Sequence, residues 1–190
     1  MNVLAIMGSP RLKGNTDLLV DEALRGAADA GAEVEKLVVD RMNISPCKEY
    51  YGCLRDGNCV IRDDMDEIYP RLLDADRLII ASPIFFYGLT GQIKALIDRC
   101  QALWARKYVL QQPPLGNSRE RKGLFISVGG RRIADLFEPA LVMVKTLFRI
   151  LDVTYAGELL FSGIDEKGAI AKHPDALRQA FLAGQKLVED

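Results

Sequence analysis

The residues best placed to do chemistry lie in one run, Gly8-Ser9-Pro10-Arg11-Leu12-Lys13-Gly14-Asn15-Thr16. The run follows the apolar stretch Val3-Leu4-Ala5-Ile6-Met7 and precedes a helical pattern of Leu18, Leu19, Val20, Ala23, Leu24 and Ala27. A strand, a glycine-bearing loop and a helix start, in that order, hold anions. Loop N–H groups and the unpaired N–H groups of the first helical turn converge on one point. Ser9, Asn15 and Thr16 add polar ligands, Arg11 and Lys13 add positive charge, and Gly14 lets the backbone come close. The run matches neither the Walker pattern nor Gly-x-Gly-x-x-Gly. Without a ligand it reads as an ordinary strand-to-helix turn with Asn15 or Thr16 as the N-cap.

Two further loops follow apolar runs. Pro83-Ile84-Phe85-Phe86-Tyr87-Gly88 comes after Leu78-Ile79-Ile80-Ala81-Ser82 and offers apolar bulk and backbone amides, although its aromatics could also serve the core. Ser127-Val128-Gly129-Gly130-Arg131 closes a third apolar run. Paired glycines there let a ligand approach the backbone, or make a tight turn. Cys47, Cys53 and Cys59 recur at intervals of six in a turn-rich segment, and Cys100 stands apart. That spacing is not that of a zinc site. Cys100 and Arg106 match the Cys-x₅-Arg spacing of tyrosine phosphatases, but the residues between them read as helix and lack the required glycine loop. The only histidine, His173, precedes Pro174 at a helix start and reads as a solvated loop residue.

The elements that must position these loops alternate along the chain. Strands are expected at 2–7, Glu33–Val39, Arg77–Ala81, Lys122–Val128 and Val153–Leu160. Helices are expected at about 15–30, ended by Gly31; from a cap at Asp63 or Asp64 through Leu73; from Gly91 to about Arg106; at Glu138–Ile150; and at Pro174–Val188. The segment 41–62 and the stretch 107–121, with Pro113-Pro114 and Gly116-Asn117-Ser118, read as irregular. Five strands alternating with five helices make an α/β doubly wound, three-layer parallel sheet. Right-handed crossovers favour the order 2-1-3-4-5. That order puts the charged second strand at an edge and brings the first two loops together at a topological switch point.

The 190 residues suit one domain over 1–190 with a sizeable core. An apolar fraction of 49% and a charged fraction of 27% are those of a soluble globular chain. The net charge of -1 argues against nucleic acid as a partner and against a strongly acidic electron carrier. No apolar run reaches transmembrane length, and Met1–Met7 is short and lacks a cationic start, so a membrane anchor or export signal is not expected. The cytoplasm, with reduced cysteines, is the expected location.

The first loop resembles the Gly-Ser-x-Arg-x-x-Gly/Ser-Asn-Thr loop of the flavodoxin-like, NAD(P)H-dependent FMN reductases. The second resembles that family's Ser-Pro-x-Tyr/Phe loop beside the isoalloxazine ring. The likeness is to the branch holding iron–sulfur flavoproteins and multimeric flavodoxin-type quinone reductases, and its motifs cover residues 1 to about 130. It implies FMN as cofactor, with Ser9, Arg11, Gly14, Asn15 and Thr16 at the phosphate. Pro83, Ile84, Phe85, Phe86, Tyr87 and Gly88, together with Ser127, Gly129 and Gly130, would lie around the ring. It further implies an enzyme using NAD(P)H in ping-pong turnover, with a quinone, a flavin or a similar small molecule as acceptor. No catalytic side chain is then needed, because the flavin carries the chemistry. A non-enzymatic electron-transfer flavoprotein is the alternative. The resemblance implies a homodimer or higher homo-oligomer, for which Trp104, Tyr108, Val109 and Leu110 offer an apolar anchor. Relatives with a cluster carry Cys-x-x-Cys-x-x-Cys and a fourth cysteine; here Tyr50 stands at the second position, so no metal centre is expected.

Overall fold

Alternation within the strands decides the architecture. Val3, Ala5 and Met7 point to one side of the first strand and Leu4 and Ile6 to the other, and both sets are buried. A strand that is apolar on both faces needs a cover on each. The computed structural model, which describes residues 1–113 and 115–189, supplies both covers. The strands are β1 (Asn2–Met7), β2 (Glu33–Val38), β3 (Arg77–Pro83), β4 (Lys122–Gly129) and β5 (Thr154–Ser162). All pair in parallel, in the order β2-β1-β3-β4-β5. The fold is the expected flavodoxin-like α/β sandwich, and β2, with its run of exposed residues, lies at an edge.

Helices α1 (Asn15–Asp29) and α7 (Ala176–Glu189) cover the face of Val3, Ala5, Met7, Ile79, Ala81 and Ile126. On the other face, Leu4, Ile6, Leu78, Ile80 and Phe125 pack against α3 (Met65–Asp74), α4 (Gly91–Arg99) and α6 (Glu138–Ile150). Two short helices, α2 (Cys53–Asp56) and α5 (Gln101–Trp104), complete the set. Two buried arginines tie helix ends to the start of the sheet. Arg121 donates to the Leu72, Ala75 and Leu151 carbonyls at the ends of α3 and α6, and Arg77 donates to Leu187 O in α7. Cations at helix C-termini satisfy carbonyls that the helix leaves unpaired.

Some boundaries differ from expectation. The helix from Gly91 stops at Arg99, resumes as α5, and passes into a π-helical turn over Ala105–Val109. Winding thus continues past residue 107, with the Trp104 and Tyr108 rings 5.8 Å apart. A 3₁₀ turn occupies Leu115–Ser118. Pro114, expected in this loop, lies outside the described residues, as do the side chains of Asn117 and Ser118. The N-cap of α1 is Gly14 and uses no side chain, so neither Asn15 nor Thr16 caps it. Asp63 rather than Asp64 accepts the first amide of α3, from Met65 at 3.1 Å. Gly31 ends the first helix region at φ +86°, as expected.

The seam between α1 and α7 tolerates no added atom. A Cβ on Gly184 would lie 1.8 Å from Ala23 O, and one on Gly26 would lie 2.0 Å from Phe181 O. Gly184→Ala should therefore lower stability by about 1–3 kcal/mol, the ordinary cost of overpacking. Urea unfolding of the two proteins checks this, and unchanged stability would show that the seam can open.

Candidate functional site

Parallel pairing of β1 with β3 delivers two loops side by side. The Gly8 amide extends the ladder to Ala81 O at 2.8 Å, one residue past the end of β1. Thr90 then latches both loops. Its hydroxyl donates to Gly8 O at 2.8 Å, and its amide donates to Ser82 Oγ at 3.1 Å. Gly8 has no room for a side chain, because a Cβ would meet Ile93 Cγ1 at 2.1 Å.

The first loop curls tightly. Arg11 N donates to Ser9 Oγ at 3.2 Å, Gly14 N donates to Arg11 O at 3.0 Å, and Lys13 takes a left-handed φ of +54°. A Cβ on Gly14 would lie 2.7 Å from Arg11 O, so only glycine closes this turn. Ser9 Oγ accepts from Arg11 N with one lone pair, and its O–H takes no part in that bond. The amino end of α1 opens into the same space, where its first-turn N–H groups favour an anion.

A cleft runs from this loop across the carboxyl ends of β1, β3 and β4. It is lined by Ser9, Arg11, Gly14, Asn15, Thr16, Pro83, Ile84, Phe85 and Gly130, all expected from sequence. Pro10, Val128, Ile164, Asp165 and Lys167 line it too and were not expected. The last three belong to the loop after β5, between Gly163 and Gly168, both at positive φ. Those two glycines were the only sequence signal for it. Gly130 lets this loop approach, since a Cβ there would lie 3.0 Å from Asp165 Oδ1.

The side chain of Asn15 braces that loop: its amide donates to Glu166 O at 2.9 Å and accepts from Ile170 N at 3.1 Å. One N–H of that amide is used in this way, and its second N–H and the Asn15 backbone remain on the cleft side. Ser127 is fully buried and donates to Ser82 O at 2.8 Å, and Gly129 is buried against Leu136. Phe86, Tyr87 and Gly88 lie outside the cleft lining, in a two-residue hairpin closed by mutual Phe85–Gly88 bonds of 2.9 Å. The Phe86 side chain is fully exposed, so these aromatics are not core residues. His173 stacks edge-on against Phe161 at 5.3 Å, away from the cleft.

A larger hollow of about 700 Å³ lies near the amino ends of the strands, lined by Arg71, Arg106 and Arg119 among others. Arg71 and Arg119 are paired with the carboxylates of Glu35 and Asp76, and Arg106 is held by the neutral amide of Gln112. The cleft at the switch point, with convergent amides and an anion-binding helix start, is the candidate site.

The cysteine segment is held separately. Arg99, fully buried in α4, donates to Asp63 at 2.6 Å, Ser45 O at 3.0 Å and Ile61 O at 3.0 Å. It thereby pins both ends of the excursion that carries Cys47, Cys53 and Cys59. Burial pushes the Asp63 pKa up, but hydrogen bonds from Arg99, Ser45 N and Met65 N outweigh it and hold the carboxyl below its ordinary value. Cys100 is enclosed, and burial pushes its thiol up to about 12.

A profile described as NADPH-dependent FMN reductase matches residues 1–162, so this chain belongs to that family. An iron–sulfur flavoprotein of Methanocaldococcus jannaschii is 43% identical over 103 residues, 54% of this chain and 53% of that one. An iron–sulfur flavoprotein of Archaeoglobus fulgidus is 39% identical over 146 residues, 77% of this chain and 70% of that one. The chain thus matches about half the length of the first relative and more than two thirds of the second. The solved NAD(P)H:quinone oxidoreductase from Methanothermobacter marburgensis shares the fold, at a TM-score of 0.72, 19% identity and 98% coverage of both chains.

The relatives' names raise an iron–sulfur centre, and the donor set here does not fit a cubane. Four thiolates are its ordinary ligands. Tyr50, which the resemblance sets in the place of one of them, is 63% exposed, and the fourth thiol of this chain, Cys100, is shut in the core. Among the described residues, no group of three or more His, Cys, Asp or Glu side chains is gathered as a metal set.

The Asp63–Arg99 clamp gives a pH signature. A carboxylate with a depressed folded pKa contributes stability that is present above its unfolded pKa and lost as pH falls through the folded value. Asp63→Asn should therefore destabilise the protein near neutrality, and the gap from wild type should shrink below about pH 4. Urea unfolding at both pH values checks this; a gap that does not change with pH would show that Asp63 is not the charged partner.

Proposed function

We propose that this chain binds FMN and works as an NAD(P)H oxidoreductase whose acceptor is a quinone, a flavin or a similar small molecule. One observation carries the reading: the loop 8–16, the Pro83–Phe85 stretch and Gly130 converge on one cleft at the carboxyl ends of three adjacent strands. The residues fit the cofactor. Ser9, Arg11, Thr16 and the amides around Gly14 would take the phosphate, where a single terminal phosphate seat suits FMN rather than a dinucleotide flavin. Pro83, Ile84, Phe85 and Gly130 would flank the ring. When bound, the flavin supplies hydride transfer between donor and acceptor. The protein's part is to orient the ring, to keep water from its buried edge and to leave one face open. A single open face makes donor and acceptor bind in turn. The alternative of an electron-transfer flavoprotein is less well supported, since net charge is close to zero and the thiol set is incomplete.

The aromatic hairpin supports assembly with at least one further copy of this chain. Phe86 is fully exposed, and Phe85 and Tyr87 are about half exposed, a composition that suits an interface core. Sedimentation giving only monomer at micromolar concentration would contradict that. No helix among the described residues is long and apolar enough to cross a membrane, and the cysteines are free. Both facts support our reading of a cytoplasmic protein.

Purified protein should be yellow, with flavin bands that bleach on anaerobic addition of NADPH and no stoichiometric iron or acid-labile sulfide. Arg11→Ala should weaken FMN roughly 10- to 150-fold, through loss of a charge-assisted hydrogen bond of about 1.5–3 kcal/mol. Native FAD, or an unchanged FMN affinity in that variant, would sink the phosphate assignment. Initial rates at several fixed acceptor concentrations should give parallel double-reciprocal lines, whereas intersecting lines would require both substrates bound together.

A further inference from the structure

A charge of the wrong sign stands just beyond the proposed phosphate loop. Asp17 lies in the first turn of α1 and is 3% exposed. A carboxylate there draws on the same helix-end N–H groups and dipole that favour a phosphate, and it repels a dianion nearby. Its bonds explain its presence. Oδ2 accepts the Lys13 amide at 2.7 Å, and Lys13 is the loop residue in left-handed geometry. Oδ1 accepts Lys36 Nζ at 2.9 Å, reaching across from the edge strand β2. The same ammonium also holds Asp21, one turn further along α1, at 2.5 Å. Lys36 stays charged: burial lowers its pKa, and the hydrogen bonds to Asp21 and Asp17 outweigh that and raise it.

We propose that Asp17 and Lys36 are positioning residues for the cofactor phosphate: Asp17 fixes the curl of the loop through the Lys13 amide, and Lys36 cancels the charge this places beside the anion seat. The inference rests on the reading of loop 8–16 as an FMN phosphate site. Neither side chain lines the cleft, so neither touches the cofactor. Their effect is electrostatic and acts only on a ligand that carries the phosphate. Riboflavin, which has the same ring and ribityl chain without the phosphate, is therefore the discriminating probe.

The experiment titrates the flavin-stripped full-length chain with FMN and with riboflavin, reading the quenching of flavin fluorescence. Lys36→Met leaves Asp17, and Asp21 one turn further off, uncompensated and should weaken FMN roughly 10- to 100-fold while riboflavin changes less than about threefold. Lys36→Arg, which keeps the charge, should bind both as wild type does. Asp17→Asn keeps an oxygen acceptor for the Lys13 amide and removes the charge, so adding it to Lys36→Met should restore FMN to within about threefold of wild type. Thermal melts of each variant report whether it folds, and the rescue by the double variant is a result that misfolding cannot imitate. Equal weakening of FMN and riboflavin in Lys36→Met, no weakening of either, or a double variant no better than Lys36→Met would overturn the inference. Each of those leaves the phosphate seat standing if wild type still prefers FMN to riboflavin. A wild type with no such preference would instead overturn the seat, and the inference with it.

Discussion

The bond from the Gly8 amide to Ala81 O is the constraint on which the site depends. It carries the β1–β3 pairing one step beyond the strand and sets two loops from distant parts of the sequence against each other. Thr90 secures the same point from both sides, through Gly8 O and Ser82 Oγ. Ser127 extends the chain of contacts to β4 by donating to Ser82 O. Four hydrogen bonds among small buried residues thus fix the relative height of three strand ends. The cleft above them has little freedom to be anywhere else.

The strand order and both covering layers were readable from residue patterns. Strands apolar on both faces and one charged strand at the edge leave few alternatives once crossovers are right-handed. The first loop was readable for a similar reason: Gly14 sits in a turn so tight that a Cβ meets the Arg11 carbonyl. Other parts were not readable, because they depend on contacts between distant residues. Asn15 lines the cleft as expected, but its second task, bracing a loop some 150 positions away at Glu166 and Ile170, was hidden. Ser127 looks equally available and is spent inside the sheet. Asp165 and Lys167 enter the cleft only because β5 ends beside β4, which periodicity cannot reveal. Arg99, turned into the interior to hold the cysteine segment, is likewise a contact between distant residues.

The two halves of the site differ in how they are stabilised. The side proposed for the phosphate has loop amides, a helix start and the part-buried Asp17–Lys36 pair. The ring side ends in a hairpin where Phe86 and Tyr87 both adopt positive φ, at +47° and +64°. Bulky residues rarely take this conformation, and each such residue costs on the order of 1–3 kcal/mol. The mutual Phe85–Gly88 bonds hold the turn closed, and no core contact repays the exposed Phe86 side chain. Strain combined with an exposed aromatic at the rim of a cleft is the pattern of a surface shaped for contact rather than for the stability of a lone subunit.

In the function we propose, the cofactor sits across the carboxyl ends of β1, β3 and β4 with its phosphate on the first loop. Amide chemical-shift mapping of ¹⁵N-labelled, flavin-stripped protein during FMN titration tests this most directly. The largest changes should fall on the amides of Arg11, Gly14, Asn15, Thr16, Ile84, Phe85 and Gly130, with smaller ones on Asp165 and Lys167. Changes centred instead on Arg71, Arg106 and Arg119, at the hollow near the other end of the sheet, would contradict the account.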